Sequence, residues 1–500
     1  MGIVQKDAIR SMLISYFGLV LGYINKGILF LLILDSTERI GLINLMVAIG
    51  MLFAQFSNLG AIYTTWKFLP YLKKKENNHY GFLAFILVIV FIGIGVFTSL
   101  FIVFKPQISE EYVEKSKLFT EYYYWVLPIG IFQVLFSIIE VYLRAFLKNI
   151  ISVFAQEIAL RLSITAILLL FYTGLISFSS FVYLHSLVYL IPVVILAIYL
   201  YRQGDFSKNW TKIQIPKRFK KILLRFSLFN YFNTLSTQLV YSLDVIMIAQ
   251  IIGLPAAGVY TTVTFLASAL QVPYKSIIRV SSPLIAEHWK HRELGKMKLL
   301  YQQVSSVSLL IGLVMFLFVW VNIDFLFSFL KPEFLEGIYV FLFLMIGRLF
   351  DMYCGLNGSI FTTSKKYKYD IYFTIFLVTM VYLLNLWLIP SYGIKGAAIS
   401  TSIALILYNL GRVFFVLLIF KIHPFSWNQM KVIALFSACI GMSYFTDSIF
   451  ENKYIQFVFL STLIGSTFLI PIYVFNLEEN SKNYLQKGMK FFLSKTGMKK

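Results

Sequence analysis

Residues 385–412 read NLWLIPSYGIKGAAISTSIALILYNLGR. Pro390 and Gly393 interrupt an otherwise apolar stretch, which predicts a short turn between two helices. The small residues that begin at Gly396 predict a second helix that packs closely against its neighbours. Arg412 follows in the same apolar segment, where a cation facing lipid would be costly. The stretch therefore predicts two membrane helices joined by a tight turn, with a polar environment beside the second.

The whole chain has the composition of a membrane protein. Of its 500 residues, 59% are hydrophobic and only 13% are charged, and the mean hydropathy is +0.78. A water-soluble domain could not cover so much apolar surface with so few charges, so we predict an all-α polytopic membrane protein. The net charge of +21 does not indicate nucleic acid, because the basic residues lie between apolar runs. Cys354 and Cys439 lie within apolar runs and predict neither a disulfide framework nor a metal site.

Apolar runs long enough to cross a bilayer, roughly 20 residues each, divide the chain into fourteen predicted spans. Numbered 1 to 14 in chain order, they lie near 10–34, 40–66, 80–104, 121–145, 150–173, 179–201, 221–251, 256–283, 299–321, 337–362, 370–389, 394–420, 430–447 and 454–476. We predict an N-lobe of spans 1–6 over 1–205 and a C-lobe of spans 7–12 over 206–425, with a cytoplasmic linker at 206–220. Spans 13 and 14 and a basic tail occupy 426–500.

The loops between the spans alternate in charge. One set of loops, which includes the linker, is rich in lysine and arginine. The other set is rich in acids. Because basic loops stay on the cytoplasmic side, we expect both termini and the linker to be cytoplasmic in a bacterial plasma membrane. The acidic loops then lie outside.

Pairs of residues at matching places in the two lobes predict an internal repeat. The pairs are 217 to 219 residues apart: Lys26 with Asp244, Gly41 with Gly258, and Gly174 with Gly393. Internal repeats are common in transporters, where the substrate site lies between them.

Two segments resemble a known family. IPSYGIKGAAISTSIA (389–404) is similar to the span 11–12 region of polysaccharide (O-antigen, Wzx-type) flippases of the MATE/MOP exporter superfamily. AAGVYTTVTFLASAL (256–270), followed by SSPLIAEHW (281–289), resembles their span 8 region. The resemblance implies two six-helix lobes plus two further helices over the whole chain, and transport by alternating access.

Several spans carry polar residues along one face, which lipid cannot satisfy. The faces on spans 1, 8, 10 and 12 hold the residues we predict to bind substrate: Lys26, Gln271, Lys275, Arg279, Arg348 and Arg412. Candidates for coupling or gating are Asp244, Asp351, Glu157 and Arg161. For each there is a structural alternative. Glu157 and Arg161 have the spacing of an i,i+4 ion pair. For Arg348 and Asp351 the alternative is a structural pair. For Lys275 and Arg279 it is contact of both side chains with lipid phosphates.

Leaving out the residues at the ends of the spans, we count seven bases against four acids: Lys26, Arg161, Arg225, Lys275, Arg279, Arg348 and Arg412 against Glu140, Glu157, Asp244 and Asp351. This excess favours an anionic substrate, and the resemblance implies a polyprenyl-diphosphate-linked oligosaccharide for O-antigen (lipopolysaccharide), capsule or exopolysaccharide synthesis. Membrane lipids, a polysaccharide polymerase and glycosyltransferases are the other expected partners.

A lipid II flippase or a multidrug exporter is the alternative within the superfamily. A membrane-bound polymerase or ligase is disfavoured, because the sequence offers no long outer loop and no nucleophile–base cluster. We expect no cofactor, while H⁺ and Na⁺ both remain open as coupling ions.

The charge pattern generates a topology prediction. A cysteine replacing Ser207 in the linker should be shielded from a membrane-impermeant thiol reagent in intact cells, whereas one replacing Ser448 should react. Labelling of the Ser207→Cys protein from outside would contradict the predicted orientation.

Overall fold

The computed structural model describes residues 2–69, 81–146, 148–202, 231, 235, 238–240, 242–446 and 453–474. These residues are helical nearly throughout and include no strand. Nine of their helices are long and apolar enough to cross a membrane: Leu13–Ile33, Thr37–Ser57, Phe82–Val103, Lys117–Ala145, Ile150–Tyr172, Phe178–Arg202, Leu294–Val321, Asp370–Tyr392 and Ile394–Phe420. They correspond to spans 1–6, 9, 11 and 12.

The other spans are shorter or broken helices. Span 7 is described as Gln238–Ile251, and span 8 consists of Leu254–Ala269 and Val272–His291. Span 10 divides into Gly337–Cys354 and Asn357–Thr363. Spans 13 and 14 are Trp427–Thr446 and Lys453–Val474. The predicted all-α polytopic fold is therefore confirmed, while the linker, the early part of span 7 and the basic tail lie outside the described residues.

Local geometry departs from single continuous helices in three further spans. Span 2 was predicted as one helix, but Thr37–Ser57 is followed by a turn and then by Ala61–Phe68. At that turn the Asn58 side chain accepts a hydrogen bond from the Gly60 N–H at 2.7 Å. Spans 1 and 5 each contain a π-helical turn, at Asn25–Leu29 and at Ala155–Ala159. Such turns occur often beside functional sites.

The stretch 385–412 forms two helices joined by a tight turn, as predicted, but Pro390 lies within the first helix and not in the turn. Span 11 ends at Tyr392, and Gly393 turns the chain at φ 62° and ψ −142°, a conformation that favours glycine. A Cβ added to Gly396 would overlap the carbonyl oxygen of Leu388, so span 12 lies directly against span 11. On the side toward span 10, the Ser402 hydroxyl donates to the carbonyl of Phe343. Small residues thus allow span 12 to pack closely against two neighbours.

The chain forms two compact units, Met1–Thr262 and Val263–Lys500. A cluster of buried residues on spans 2, 3, 4 and 6, which includes Ile86, Val134 and Leu196, forms a core of the first unit. In the second unit, spans 13 and 14 pack against span 9 through Val432, Phe468 and their neighbours. The predicted lobe boundaries are a different division of the chain and stay a prediction.

The close approach at Gly396 predicts a stability difference between two matched substitutions. Gly396→Val should lower the thermal unfolding midpoint, because the added side chain forces a backbone shift that costs about 1–3 kcal/mol. Gly441→Val on span 13 is the control, since no atom lies within 4 Å of a Cβ built there. Equal midpoints in a fluorescence-detected thermal scan would contradict the packing.

Candidate functional site

A polar cluster in the first unit joins four spans. Lys26 on span 1 donates a hydrogen bond from Nζ to Asn44 Oδ1 on span 2 at 3.2 Å. Asn44 in turn donates to Thr261 Oγ1 on span 8 at 3.1 Å. The preceding residue of span 8, Tyr260, donates its hydroxyl hydrogen to Asp244 Oδ2 on span 7 at 2.5 Å. The structure therefore connects the predicted residues to two successive residues of span 8: Lys26 reaches Thr261 through Asn44, and Asp244 accepts from Tyr260.

Tyr260 is the member of this cluster that the sequence analysis missed. The position of Tyr260 on the helix explains why. Tyr260 does not lie on the polar face that includes Thr261, and an aromatic residue in an apolar run is usually part of the core. The ring is buried, with 1% of its surface exposed, and the hydrogen bond to Asp244 gives its hydroxyl a role.

Spans 2 and 8 also touch through glycines related by the predicted repeat. A Cβ on Gly41 would overlap the Leu254 carbonyl oxygen, and a Cβ on Gly258 would overlap the Thr37 carbonyl oxygen. The two contacts exchange equivalent residues, because Gly258 follows Gly41 by 217 positions and Leu254 follows Thr37 by 217 positions. Asn44 and Thr261, which are hydrogen-bonded, have the same separation. A self-complementary contact of this kind is what two-fold related elements make. The geometry agrees with an internal repeat.

The coupling candidates Glu157 and Arg161 form an ion pair on span 5, with 2.6 Å between Oε2 and Nη2. Arg161 Nη1 also donates to the carbonyl oxygen of Gly18 on span 1. A Cβ on Gly22 would overlap the guanidinium, so the two glycines of span 1 make room for this pair. The arrangement is a tie between spans 1 and 5.

Polar groups beside this tie connect the π-helical turn of span 1 to the α-helical part of span 5 that follows its own π-helical turn. Asn25, at the start of the turn in span 1, donates from Nδ2 to the Arg161 carbonyl oxygen at 2.8 Å. Its Oδ1 accepts a hydrogen bond from the Thr165 hydroxyl at 2.7 Å. Glu140 and Arg144 on span 4, which have the same i,i+4 spacing, also form an ion pair.

In the second unit, Arg412 pairs with Asp370, at 2.6 Å between Nη2 and Oδ1. Both side chains are at least nine-tenths buried, with 9% and 10% of their surfaces exposed. The guanidinium also lies 4.7 Å from the centre of the Tyr408 ring. The sequence analysis omitted Asp370 because it is the first residue of span 11 and resembles a loop acid. The count of four acids within the spans therefore missed Asp370, and a carboxylate balances the charge of Arg412. Its role in substrate binding stays a prediction.

Span 10 breaks beside the candidate Asp351. Gly355 interrupts the helix at φ 58° and ψ −121°, and the Tyr274 hydroxyl donates to its carbonyl oxygen at 3.1 Å. Asn409 donates to Asp351 Oδ1 at 3.0 Å and accepts from Asn357 Nδ2 at 2.8 Å. Broken helices that place a carboxylate beside freed carbonyl groups are a recurrent feature of transporter ion sites.

The remaining predicted substrate residues lie at the second half of span 8 and at span 10. Gln271 occupies the turn before Val272–His291, and the side chains of Lys275 and Arg279 are exposed. Lys275 lies close enough to Arg348 and Asp351 to interact electrostatically with both. Arg348 donates to the Thr264 carbonyl oxygen at 3.3 Å. The acid near Lys275 thus comes from another span, which the helical spacing of span 8 could not reveal.

Comparison with known proteins identifies the fold. No protein-family model matches the chain. Two relatives are uncharacterized membrane proteins of Methanocaldococcus jannaschii. One is 24% identical over 411 residues, covering 77% of this chain and 79% of the relative. The other is 29% identical over 247 residues, covering 47% of this chain and 57% of the relative.

Solved structures extend the likeness over more of the chain. The lipid II flippase MurJ in an inward closed conformation matches with a TM-score of 0.72 at 14% identity, over 93% of this chain and 99% of MurJ. An inward-facing multidrug resistance MATE transporter of the MOP superfamily matches with a TM-score of 0.66 at 14% identity, over 83% and 98%. A MOP superfamily transporter of Pyrococcus furiosus, also 14% identical, gives 0.57 over 84% and 96%. The chain has the MOP transporter fold.

The buried pair Asp370–Arg412 predicts that removing one charge strongly lowers the stability and that removing both charges restores part of it. Asp370→Asn leaves the Arg412 charge buried without its counter-ion, and breaking such a pair costs about 3–5 kcal/mol. Combining Asp370→Asn with Arg412→Gln removes both charges and should restore part of the thermal midpoint. A double variant that is less stable than Asp370→Asn alone would contradict a neutralising pair.

Proposed function

We propose that this protein is a flippase that moves a polyprenyl-diphosphate-linked oligosaccharide across the plasma membrane for polysaccharide synthesis. The observation that carries the proposal is the pair of exposed cations Lys275 and Arg279, one helical turn apart, in a chain with the fold of a lipid II flippase. Like charges at this spacing repel each other. A diphosphate that binds both would relieve the repulsion.

The surroundings of these cations suit a lipid-linked glycan. Arg348 and Asp351 lie within electrostatic reach of Lys275, and Gln271 lies one turn before it on the same helix. Charged groups would hold the diphosphate, while amide and hydroxyl groups would bind the first sugar. By the predicted orientation, this site is near the cytoplasmic end of span 8, where a substrate from the inner leaflet would enter.

The proposed cycle uses the two predicted lobes, which would rock to open the site to either side in turn. The contact between Gly41 and Gly258 lies at the start of spans 2 and 8, which is their outer end in the predicted orientation. Opening outward would separate these helices. Asp244 and Asp351 are the proposed groups for coupling to H⁺ or Na⁺, because each carboxylate accepts a hydrogen bond from a neighbouring span, from Tyr260 and from Asn409 respectively.

The proposal places the protein in a bacterial plasma membrane with both termini cytoplasmic. Glycosyltransferases would supply its substrate, and a polysaccharide polymerase would use the product outside. Lipid II transport is the alternative that the MurJ likeness favours most directly. A multidrug exporter is less compatible with the exposed cation pair, since cationic drugs are bound best by acidic groups.

Transport by variants in proteoliposomes tests the site. Lys275→Ala and Arg279→Ala should each slow the flipping of a fluorescent polyprenyl-diphosphate oligosaccharide by roughly ten-fold or more, the value of one charge-assisted hydrogen bond. Lys275→Arg should be slowed less, because the charge is kept. Lys290→Ala, which removes an exposed lysine at the end of the same helix, is the matched control.

Two results would contradict the proposal. Wild-type rates in both alanine variants would leave Lys275 and Arg279 as residues that contact only lipid headgroups. A wild-type protein that transports a cationic drug in the same vesicles, and not the lipid-linked oligosaccharide, would indicate the multidrug alternative.

A further inference from the structure

The loop that joins spans 3 and 4 forms a short helix, Lys105–Val113, which lies against the end of span 7. We call residues 105–116 the strap. It belongs to one of the acidic loops, so it lies on the outer side of the membrane in the predicted orientation. Span 7, described as Gln238–Ile251, ends on the same side.

Aromatic rings fix the strap to spans 3 and 4. The ring centre of Tyr112 lies 5.0 Å from that of Phe119, which in turn lies 5.8 Å from Tyr123. Tyr123 stacks on Phe101 of span 3 at 4.2 Å. Such ring pairs stabilise beyond the area that they bury. The strap is therefore held by these two spans, and the Tyr112 hydroxyl reaches span 7 by donating to the Ile246 carbonyl oxygen at 3.2 Å.

Two further side chains of the strap cap the last turn of span 7. Lys115 Nζ donates to the Ile251 carbonyl oxygen at 2.5 Å, and Ser116 Oγ donates to the Ala249 carbonyl oxygen at 2.6 Å. The last carbonyl groups of a helix have no partner within the helix. A cation at this end also interacts favourably with the helix dipole. The strap thus supplies donors that span 7 itself lacks.

The end of span 7 also contacts the strap in the reverse direction. Gln250 Nε2 donates to Glu111 Oε2 at 2.8 Å. Gly253, just beyond span 7, has φ 136°, and a Cβ built there would lie 2.7 Å from the carbonyl oxygen of Lys115. Glycine is required where backbones approach this closely. The two segments are therefore complementary in both side chains and backbone.

Span 7 lies in the first compact unit, although the predicted repeat assigns it to the C-lobe. The unit Met1–Thr262 contains spans 1–6, span 7 and the start of span 8. If the two predicted lobes rock as in the proposed cycle, outward opening has to separate span 7 from spans 1–6. The contacts of the strap would have to break in that movement.

We propose that the strap is an outer latch, which holds span 7 against the N-lobe while the outer side is closed and releases it each time the protein opens outward. This inference rests on the proposed function, because it requires the two lobes to move. The side chains of Glu111 and Lys115 are exposed, so water can replace their hydrogen bonds when span 7 leaves. The net free energy of exchanging such a bond for one to water is small, as a reversible contact requires.

A reversible cross-link tests whether the strap releases span 7. In a protein whose two native cysteines are replaced by alanine, Glu111→Cys and Gln250→Cys are joined by a bismethanethiosulfonate reagent. Flipping in proteoliposomes should fall to background and return on reduction. Arg39→Cys with Phe178→Cys is the matched control, because these residues join the outer ends of spans 2 and 6 within the N-lobe, with the guanidinium carbon 4.7 Å from the ring centre. This second link should leave flipping unchanged.

Thiol modification in intact cells measures the release without any substrate. Ser242 on span 7 is 1% exposed and donates to the Ala48 carbonyl oxygen on span 2 at 3.4 Å, so Ser242→Cys reacts with a membrane-impermeant maleimide when the two spans separate. Lys115→Ala should raise this rate by roughly three- to ten-fold, the value of one hydrogen bond at an exposed site. Lys117→Ala is the control and should not raise it, because Lys117 is exposed and its side chain forms no hydrogen bond within the described part of the chain.

Two results would overturn the latch. If the cross-linked Glu111→Cys, Gln250→Cys protein flips as rapidly as its reduced form, span 7 stays on the strap throughout the cycle. If Ser242→Cys reacts equally in the Lys115→Ala and Lys117→Ala proteins, the strap does not keep the outer side closed. Faster modification with Lys115→Ala in a protein that does not flip the oligosaccharide would support the latch and contradict the proposed substrate instead.

Discussion

The inability of lipid to form hydrogen bonds governs this structure. A polar side chain within a span must find its partner on its own helix, on another span or in water, because hydrocarbon offers none. In this chain the polar side chains form hydrogen bonds and ion pairs in several separate clusters. Lys26, Asn44 and Thr261 join three spans, while Asp370 and Arg412 neutralise each other between two. Each cluster fixes the rotation of its helices about their axes, which apolar contacts alone would leave less defined.

Such short contacts require helices to approach closely, and glycines supply the space. Gly18 and Gly22 leave room for the Glu157–Arg161 pair, so the small-residue spacing in span 1 serves a charged group rather than plain helix packing. Gly41 and Gly258 serve a different purpose, since each lies against the backbone of the other's helix. Glycine therefore serves two purposes in this chain: it allows close backbone packing at some positions and leaves room for a charged pair at others.

Hydropathy and charge predicted the fold, because both are properties of one segment and its length. The spans, the turn at Gly393 and the i,i+4 ion pairs all depend on residues close in sequence. The partners of Asp244, Lys275 and Arg412 depend on distant residues, and no single helical wheel could show them. Asp370 is 42 positions from Arg412, and its place at the end of a span concealed it. The breaks in spans 8 and 10 and the π-helical turns also escaped prediction, because a one-residue change in helix geometry leaves the apolar pattern almost intact.

Some cations of the spans have a carboxylate partner and others are exposed, and this difference reduces the number of candidates for binding an anion. Arg161 and Arg412 have carboxylate partners within hydrogen-bond distance and contribute little net field beyond their own helices. Lys275 and Arg279 keep exposed side chains on a helix that begins at a turn. Their charge is only partly offset, since Asp351 is shared with Asn409, Arg348 and Arg412. Within the described part of the second unit, span 8 therefore presents two exposed cations, whereas the charge of Arg412 is balanced by Asp370. This difference is the reason that the proposed anion site is assigned to span 8 and not to Arg412.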